Sequence, residues 1–421
     1  MIQTTTLPNG IRVVTDNESH FETVTLGVWV GVGSRFETPA QNGYSHFLEH
    51  MCFKGTPTRT AHQITEPIET AGGYMNANTD IDRTAYYAKL LKKDFRLGLD
   101  IIADMVQHAS VPAADLEKEK GVIIQEINMY NDMPDVVADD LFMARAYPDQ
   151  AVGRPIIGPA ENIRNATSED LLNYMHANYT SHNWVVSAAG NVNHDAFADA
   201  CAQLFRDYPN RPAVQPEPAR YVGGDSRKSK KTEQVQFNLG FAGPAYTDDD
   251  FYAAKIASLI LGGGFTSRLF REIREKRGLV YTIHTSHRPL SDTGFVVVSG
   301  GTGEKHVGEL MPVLCDEIVK LPDTMKEDEI ARAKELIRAE WLMSSENAER
   351  RANMNANDLL KRGKIVPLAD KLAKLEAVSA ADLTRVARQI FAGKPTLAVY
   401  GPIQHVMEYD ALCGRLDTRK G

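Results

Sequence analysis

The chain has 421 residues, 43% of them hydrophobic and 24% charged, with a formal net charge of −8. That length exceeds one ordinary core, and the composition is that of globular domains able to bury large cores. The acidic balance argues against a nucleic-acid partner, and no stretch approaches the roughly 18 apolar residues of a membrane span.

Cys52, Cys201, Cys315 and Cys413 stand far apart with no C-x-x-C pair, so neither a disulfide framework nor a cysteine metal site is expected. The N-terminus runs straight into the strand-like IQTTTLPNGIRVVTD, with no basic region followed by an apolar run. A cytoplasmic or similarly reducing location is the expectation.

The first elements read as a hairpin, residues 4–7 and 11–15 around the turn Pro8-Asn9-Gly10. Residues 23–30 alternate as a strand, and the glycine-bearing VGVGSRFE leads into NGYSHFLEHMCFKG at 42–55. Read as a helix, this stretch gathers Tyr44, Phe47, Leu48, Met51 and Cys52 into one apolar stripe. His46, Glu49 and His50 fall together on the opposite ridge. Asn42 is the expected N-cap, Gly55 closes the C-terminus and Pro57 prevents continuation.

Two histidines one turn apart can each turn a ring nitrogen onto one zinc ion. A glutamate between them can stay off the ion and take a proton from an attacking water. H-x-x-E-H is the inverted form of the commoner zinc-protease signature. The same five residues also arise as a solvated polar face, and the motif by itself leaves both readings open.

A helix at 61–71 and strands at 73–78 and 84–91 follow, then helices at 94–109 and 113–131 broken at Pro112. The second of these helices buries Leu116, Ile123, Ile127 and Tyr130, and Gly121 would allow another helix to approach closely. Glu119 and Glu126 lie on nearly the same side of it, two turns apart. Tetrahedral zinc with two imidazoles and water wants one more ligand, usually a carboxylate. Glu126 is assigned that place, and Glu119 the place of a neighbour that orients a histidine or tunes the water. The competing reading puts both in a surface ion-pair ladder with Lys118 and Lys120.

Helices at 136–147, 168–178 and 194–205 and a buried strand at 183–190 complete the first half. Residues 209–232, rich in proline and carrying the basic run RKSKK, read as a solvated linker. Beyond it the first pattern returns, with strands at 234–241, 280–285, 294–299 and 396–400 and helices at 251–261 and through to about 391. The offset of roughly 205–210 residues is too long for a solenoid and indicates a duplicated α+β domain. The expected domains are 1–208, which would bind zinc, and 233–421, joined by 209–232. The second copy has Ala254, Lys255 and Ser258 where the first has its histidine ridge, so one zinc ion per chain is expected. LGGGFTSRLF lacks the Lys-Ser/Thr of a phosphate loop and reads as a turn, with Thr266 or Ser267 capping the next helix.

HFLEHMCFKGT, together with the glutamate of GVIIQE, resembles the pitrilysin/insulinase family of inverted-motif zinc peptidases, near its mitochondrial processing peptidase branch. The resemblance spans nearly the whole chain through LPNGIRVVT, GVGSRFE, GGYMNANTD, GRPIIGPAENI and LGGGFTSRLFREIREKRGLVY. It implies two homologous α/β domains, each a mostly antiparallel sheet packed with helices, forming half of a clamshell. It also implies that His46, His50 and Glu126 bind zinc, that Glu49 is the general base and that Glu119 assists. Asn76 and Ala77 match the strand to whose edge the substrate peptide adds. Arg274 and Tyr281 match a pair that holds the scissile carbonyl region; without the resemblance, Arg274 reads as one member of a surface ion-pair ladder.

The activity so implied is that of a zinc endopeptidase acting on peptides or unfolded chains inside an enclosed chamber, among them basic, presequence-like peptides. The implied assembly is a homodimer, or a heterodimer with a paralogue, each site drawing its metal from one chain and its Arg/Tyr pair from the other. The alternative is a non-catalytic structural subunit, as in respiratory-complex core proteins of the same fold. Those chains have typically degraded the H-x-x-E-H set, which stands complete here.

Overall fold

Strands β1, Ile2–Thr6, and β2, Arg12–Asn17, form the expected antiparallel hairpin, with Ile2 opposite Asp16 and Thr6 opposite Arg12. They join β3, Thr23–Val30, β4, Tyr74–Thr79, β5, Thr84–Leu91, and β6, Trp184–Gly190, in a six-stranded sheet ordered β1-β2-β6-β3-β5-β4. Within it β2 and β6 run parallel, and every other neighbouring pair is antiparallel. This computed structural model describes residues 1–417.

All of β6 is buried because helices cover both faces of the sheet. On one face Phe47, Leu48 and Met51 of the helix Tyr44–Cys52 share a core with Val24, Leu26 and Val28 and with Leu99, Ile102 and Met105 of the helix Phe95–His108. On the other, Ala348, Ala352, Ala356 and Leu359 of the helix Ala348–Arg362 lie over Val14, Trp29, Val185 and Ala189. The period of two along β3 and β6 divides their side chains between the two cores. Each such buried Val, Leu or Met contributes about 1.5–3 kcal/mol, and a charge placed at Leu48 would break the first core.

A second sheet holds β7, Gly224–Ser229, β8, Gln234–Ala242, β9, Val280–Pro289, β10, Gly294–Gly303, and β11, Thr396–Gly401, ordered β7-β11-β8-β10-β9. Its β7–β11 pair is parallel and the rest antiparallel. Strand for strand this repeats β2-β6-β3-β5-β4, so the duplication read from the sequence is also one of topology. The helix Phe251–Gly262 packs here through Ile256, Ile260 and Leu261.

Two features depart from the simple sequential reading. The first is β7, which lies inside the stretch read as a linker and carries part of the basic run. It is an edge strand whose ladder with β11 supplies the order that its polar side chains do not. The second is an exchange of helices between the two compact units of the chain. One unit comprises Met1–Asn128, Arg154–Glu217 and Leu342–Ile365; the other comprises Met129–Gly153, Pro218–Trp341 and Val366–Gly421. The helix Ala348–Arg362 thus completes the first unit. The helix Pro134–Ala146 completes the second, where a Cβ on Gly240 would stand 2.6 Å from the ring of Phe142.

The four cysteines are free, and Cys52, Cys201 and Cys315 are buried. Among the described residues no helix is long and apolar enough to cross a membrane.

Candidate metal centre

The helix Tyr44–Cys52 buries the predicted stripe of Tyr44, Phe47, Leu48, Met51 and Cys52. Its N-cap is Gly43, at a φ of 102°, and a Cβ there would meet the Ile157 carbonyl oxygen at 2.7 Å. Asn42, the expected cap, does not play that part. The side chain that meets the free amides is Glu37, whose Oε2 accepts from Gly43 N at 2.9 Å and Oε1 from Ser45 N at 2.6 Å. Asn42 Nδ2 donates to the same carboxylate at 3.0 Å. A carboxylate offers two acceptors and a charge to the positive end of the helix, which one amide oxygen cannot match. Burial nevertheless pushes the Glu37 carboxyl up to about 7, against the opposing hydrogen bonds from Ser45, Asn42 and Gly43.

On the opposite ridge the His46 and His50 rings lie 4.7 Å apart between centroids. The helix Ala113–Asn131 brings up both glutamates. Glu119 Oε2 lies 3.0 Å from His50 Nδ1, and Lys54 Nζ lies 2.6 Å from Glu119 Oε1. With Nδ1–H donating to Glu119, His50 Nε2 keeps its lone pair and lies 3.9 Å from Glu126 Oε2. His46 Nε2 stands 3.7 Å from that same oxygen. His46, His50 and Glu126 each offer a ligand atom, all within 4.8 Å of one another, the single such group among the described residues.

These residues fit a zinc ion. Burial, helped by the neighbouring His50, pushes the His46 pKa down to about 4, so at neutral pH its contact with Glu126 is no ion pair. Nor is it a hydrogen bond, at 3.7 Å. His46 Nδ1 is buried without a partner. Imidazole nitrogens and a carboxylate oxygen facing one another beyond hydrogen-bond reach are the N/O donor set zinc takes at about 2.0–2.2 Å.

The other two carboxyls are driven in opposite directions. Burial raises Glu49, with Thr79 Oγ1 opposing through a 2.5 Å hydrogen bond to Oε2 and Glu126 adding to the rise. Burial also acts to raise Glu119, but the hydrogen bonds from Lys54 and His50 outweigh it and hold Glu119 below the usual range. One environment favours a group that exchanges protons, the other a carboxylate that stays ionised.

The surface ladder considered for this helix exists with other acids: Lys118 pairs with Asp115 at 2.9 Å and Lys120 with Glu117 at 2.7 Å. A Cβ on Gly121 would meet nothing within 4 Å, so the expected close helix approach is absent there. Asn76 and Ala77 sit on β4, the outermost strand, where Asn76 Oδ1 accepts from Ala77 N at 2.9 Å.

Arg274 and Tyr281 belong to the second unit. Arg274 precedes a turn at Gly278, φ 64°, and its guanidinium lies over the Tyr281 ring at 5.0 Å. Ser267 does not cap the turn that follows it; its hydroxyl donates to the Gly264 carbonyl at 2.6 Å. In the helix that corresponds to the histidine helix, Ser258 Oγ donates to Ala254 O and Lys255 pairs with Glu340.

Three neighbours of the site escaped the sequence reading: Glu37, Thr79 and Lys54. Lys54 continues the spacing of His46 and His50 by one more turn, and Thr79 shares a strand face with Ala77, so each left a weak signal. Glu37 left none, since its role depends on how a short turn folds back.

Residues 12–160 match the family described as Insulinase (Peptidase family M16), and residues 165–337 match the Peptidase M16 inactive domain. An uncharacterized zinc protease of Bacillus subtilis is 35% identical over 404 residues, 96% of this chain and 98% of that protein. A probable mitochondrial-processing peptidase subunit beta of Arabidopsis thaliana is 33% identical over 427 residues, 96% of this chain and 79% of that protein. Among solved structures, a chain of Candida albicans complex III2 with Inz-5 bound has a TM-score of 0.86 at 19% identity, covering 98% of this chain and 99% of that one.

Proposed function

Since this chain belongs to the insulinase family of peptidases, M16, we propose that it is an active zinc endopeptidase whose metal is held by His46, His50 and Glu126 and whose general base is Glu49. The convergence of those three ligand atoms beside a half-buried glutamate on the same helical ridge is the observation that carries this reading.

A bound zinc ion supplies Lewis acidity, lowering the pKa of water toward about 7 and polarising a carbonyl. Glu49, held by the Thr79 hydroxyl at Oε2, takes the proton of the attacking water and hands it to the leaving nitrogen. Glu119, kept ionised by Lys54 and His50, fixes the tautomer of His50. The free edge of β4 at Asn76 and Ala77 offers backbone groups to an extended peptide, a mode with little demand on sequence. Peptides and unfolded chains, basic ones favoured by the net charge of −8, are the proposed substrates. Arg274 and Tyr281 would grip the carbonyl region from a second copy of the chain in a homodimer.

Metal analysis combined with a quenched-peptide assay tests the reading. Glu49→Gln should retain zinc and lose nearly all turnover, with the loss in kcat more than in peptide affinity. Substantial turnover at full zinc occupancy would remove Glu49 from the base role. The complex III2 chain shows that this fold serves proteins of more than one kind, so fold alone does not separate an enzyme from a structural subunit. A wild-type protein that binds zinc but cleaves none of a varied peptide panel would favour the structural reading.

A further inference from the structure

The turn that carries Arg274 is a π-helix, Phe270–Glu275, closed by bonds such as Lys276 N to Arg271 O at 3.0 Å. Such turns are rare and cost hydrogen-bond geometry, so a segment that keeps one has side chains to place. Here the guanidinium of Arg274 lies 4.8 Å from the Phe270 ring centroid and 5.0 Å from that of Tyr281. Phe265, 75% exposed, meets Phe270 edge-on with centroids 5.1 Å apart.

Three of the neighbouring basic residues are held differently. Arg268 pairs with Glu329, and Lys276 and Arg277 pair with Glu272. Among the described residues, Arg274 has no such carboxylate in contact and is held by rings. The distinction matters chemically. A carboxylate would consume two of the N–H donors and cancel the charge, whereas a ring holds the flat face of the cation and leaves the donors at its edge free.

We infer that Phe270 is a positioning residue: through the π-turn it fixes the Arg274 guanidinium against Tyr281 with its donors directed outward, ready for a peptide carbonyl or carboxylate. This rests on the reading of Arg274 as part of the substrate grip. The long arginine side chain is thereby ordered before substrate arrives, and binding need not supply that order.

The test compares Phe270→Leu, Phe270→Tyr, Arg274→Ala and the double variant Phe270→Leu/Arg274→Ala in the zinc-loaded enzyme, with kcat and KM separated and zinc content and Tm recorded. Phe270→Leu should lower kcat/KM about tenfold, a modest misplacement of the donors, while Phe270→Tyr keeps the ring and stays within about twofold. The double variant should be no worse than Arg274→Ala, because Phe270 acts through Arg274. A residue that merely stabilised the fold would instead lower Tm and add its loss to that of Arg274→Ala.

Fluorination at position 270 keeps the shape and weakens the ring's negative face, so kcat/KM should fall stepwise with each added fluorine; this series decides the matter if the leucine variant does not fold. A full loss with Arg274→Ala but none across the fluorinated series overturns the role of Phe270 alone. No loss with Arg274→Ala overturns the grip itself.

Discussion

Glu37 offers the sharpest test of how the histidine helix is anchored. Its side chain is 3% exposed, and burial lifts its carboxyl from 4.5 to about 7 despite three donors. A carboxyl whose folded pKa is raised stabilises the fold fully below its unfolded value, and that contribution is lost as pH rises through the folded pKa. Between pH 5 and pH 8 the ionisation should therefore cost the wild type about 2–3 kcal/mol. Glu37→Gln carries no such titration.

Urea unfolding of the zinc-free protein at both pH values measures the difference. A Trp341→Phe background leaves Trp29 and Trp184, both buried in the first unit, as reporters. Glutamine also loses an acceptor for Gly43 or Ser45, a roughly pH-independent cost of about 1 kcal/mol. The stability of wild type relative to Glu37→Gln should thus fall by about 2–3 kcal/mol from pH 5 to pH 8. If that gap stays constant or moves the other way, the donors and the helix terminus keep Glu37 ionised and the burial argument is wrong.

Other predictions address the centre directly. Glu126→Gln should weaken zinc binding and be partly rescued by added zinc, whereas Glu119→Gln should retain more metal and lose rate; competition against a chelator ranks the two, and the reverse order would exchange their roles. Thr79→Val removes a hydrogen bond that favours ionised Glu49, so the acid limb of the kcat/KM profile should move to higher pH; an unmoved limb would mean that Thr79 does not tune the base. Mixing Glu49→Gln with an Arg274→Ala/Tyr281→Phe variant under subunit exchange should restore roughly a quarter of wild-type activity if each site draws on two copies. Exchange proven by mass without recovered activity would show that the pair does not act across copies.

Local spacing in the sequence determined much of this protein. A helix must bury i, i+3 and i+4 together, so Tyr44, Phe47, Leu48, Met51 and Cys52 announced both their own burial and the ridge of His46, Glu49 and His50 opposite. The repeat of strands and helices likewise announced the duplication, because each copy needs its own core. Spacing was silent where partners come from afar. It assigned Glu126 as ligand and Glu119 as its neighbour but left the surface ladder as a rival, because what distinguishes the two stands across from their helix: Lys54 and the Nδ1 of His50 for Glu119, two Nε2 atoms for Glu126. It took the polar strand β7 for a linker, since the order of an edge strand comes from backbone bonds to β11 that no side-chain pattern encodes. It placed the helices Pro134–Ala146 and Ala348–Arg362 with their neighbours in sequence, though the first belongs to the second unit and the other to the first. Glu37 over the start of the histidine helix was decided by the fold and not by spacing, because a cap supplied from outside the helix depends on how the chain before it folds back.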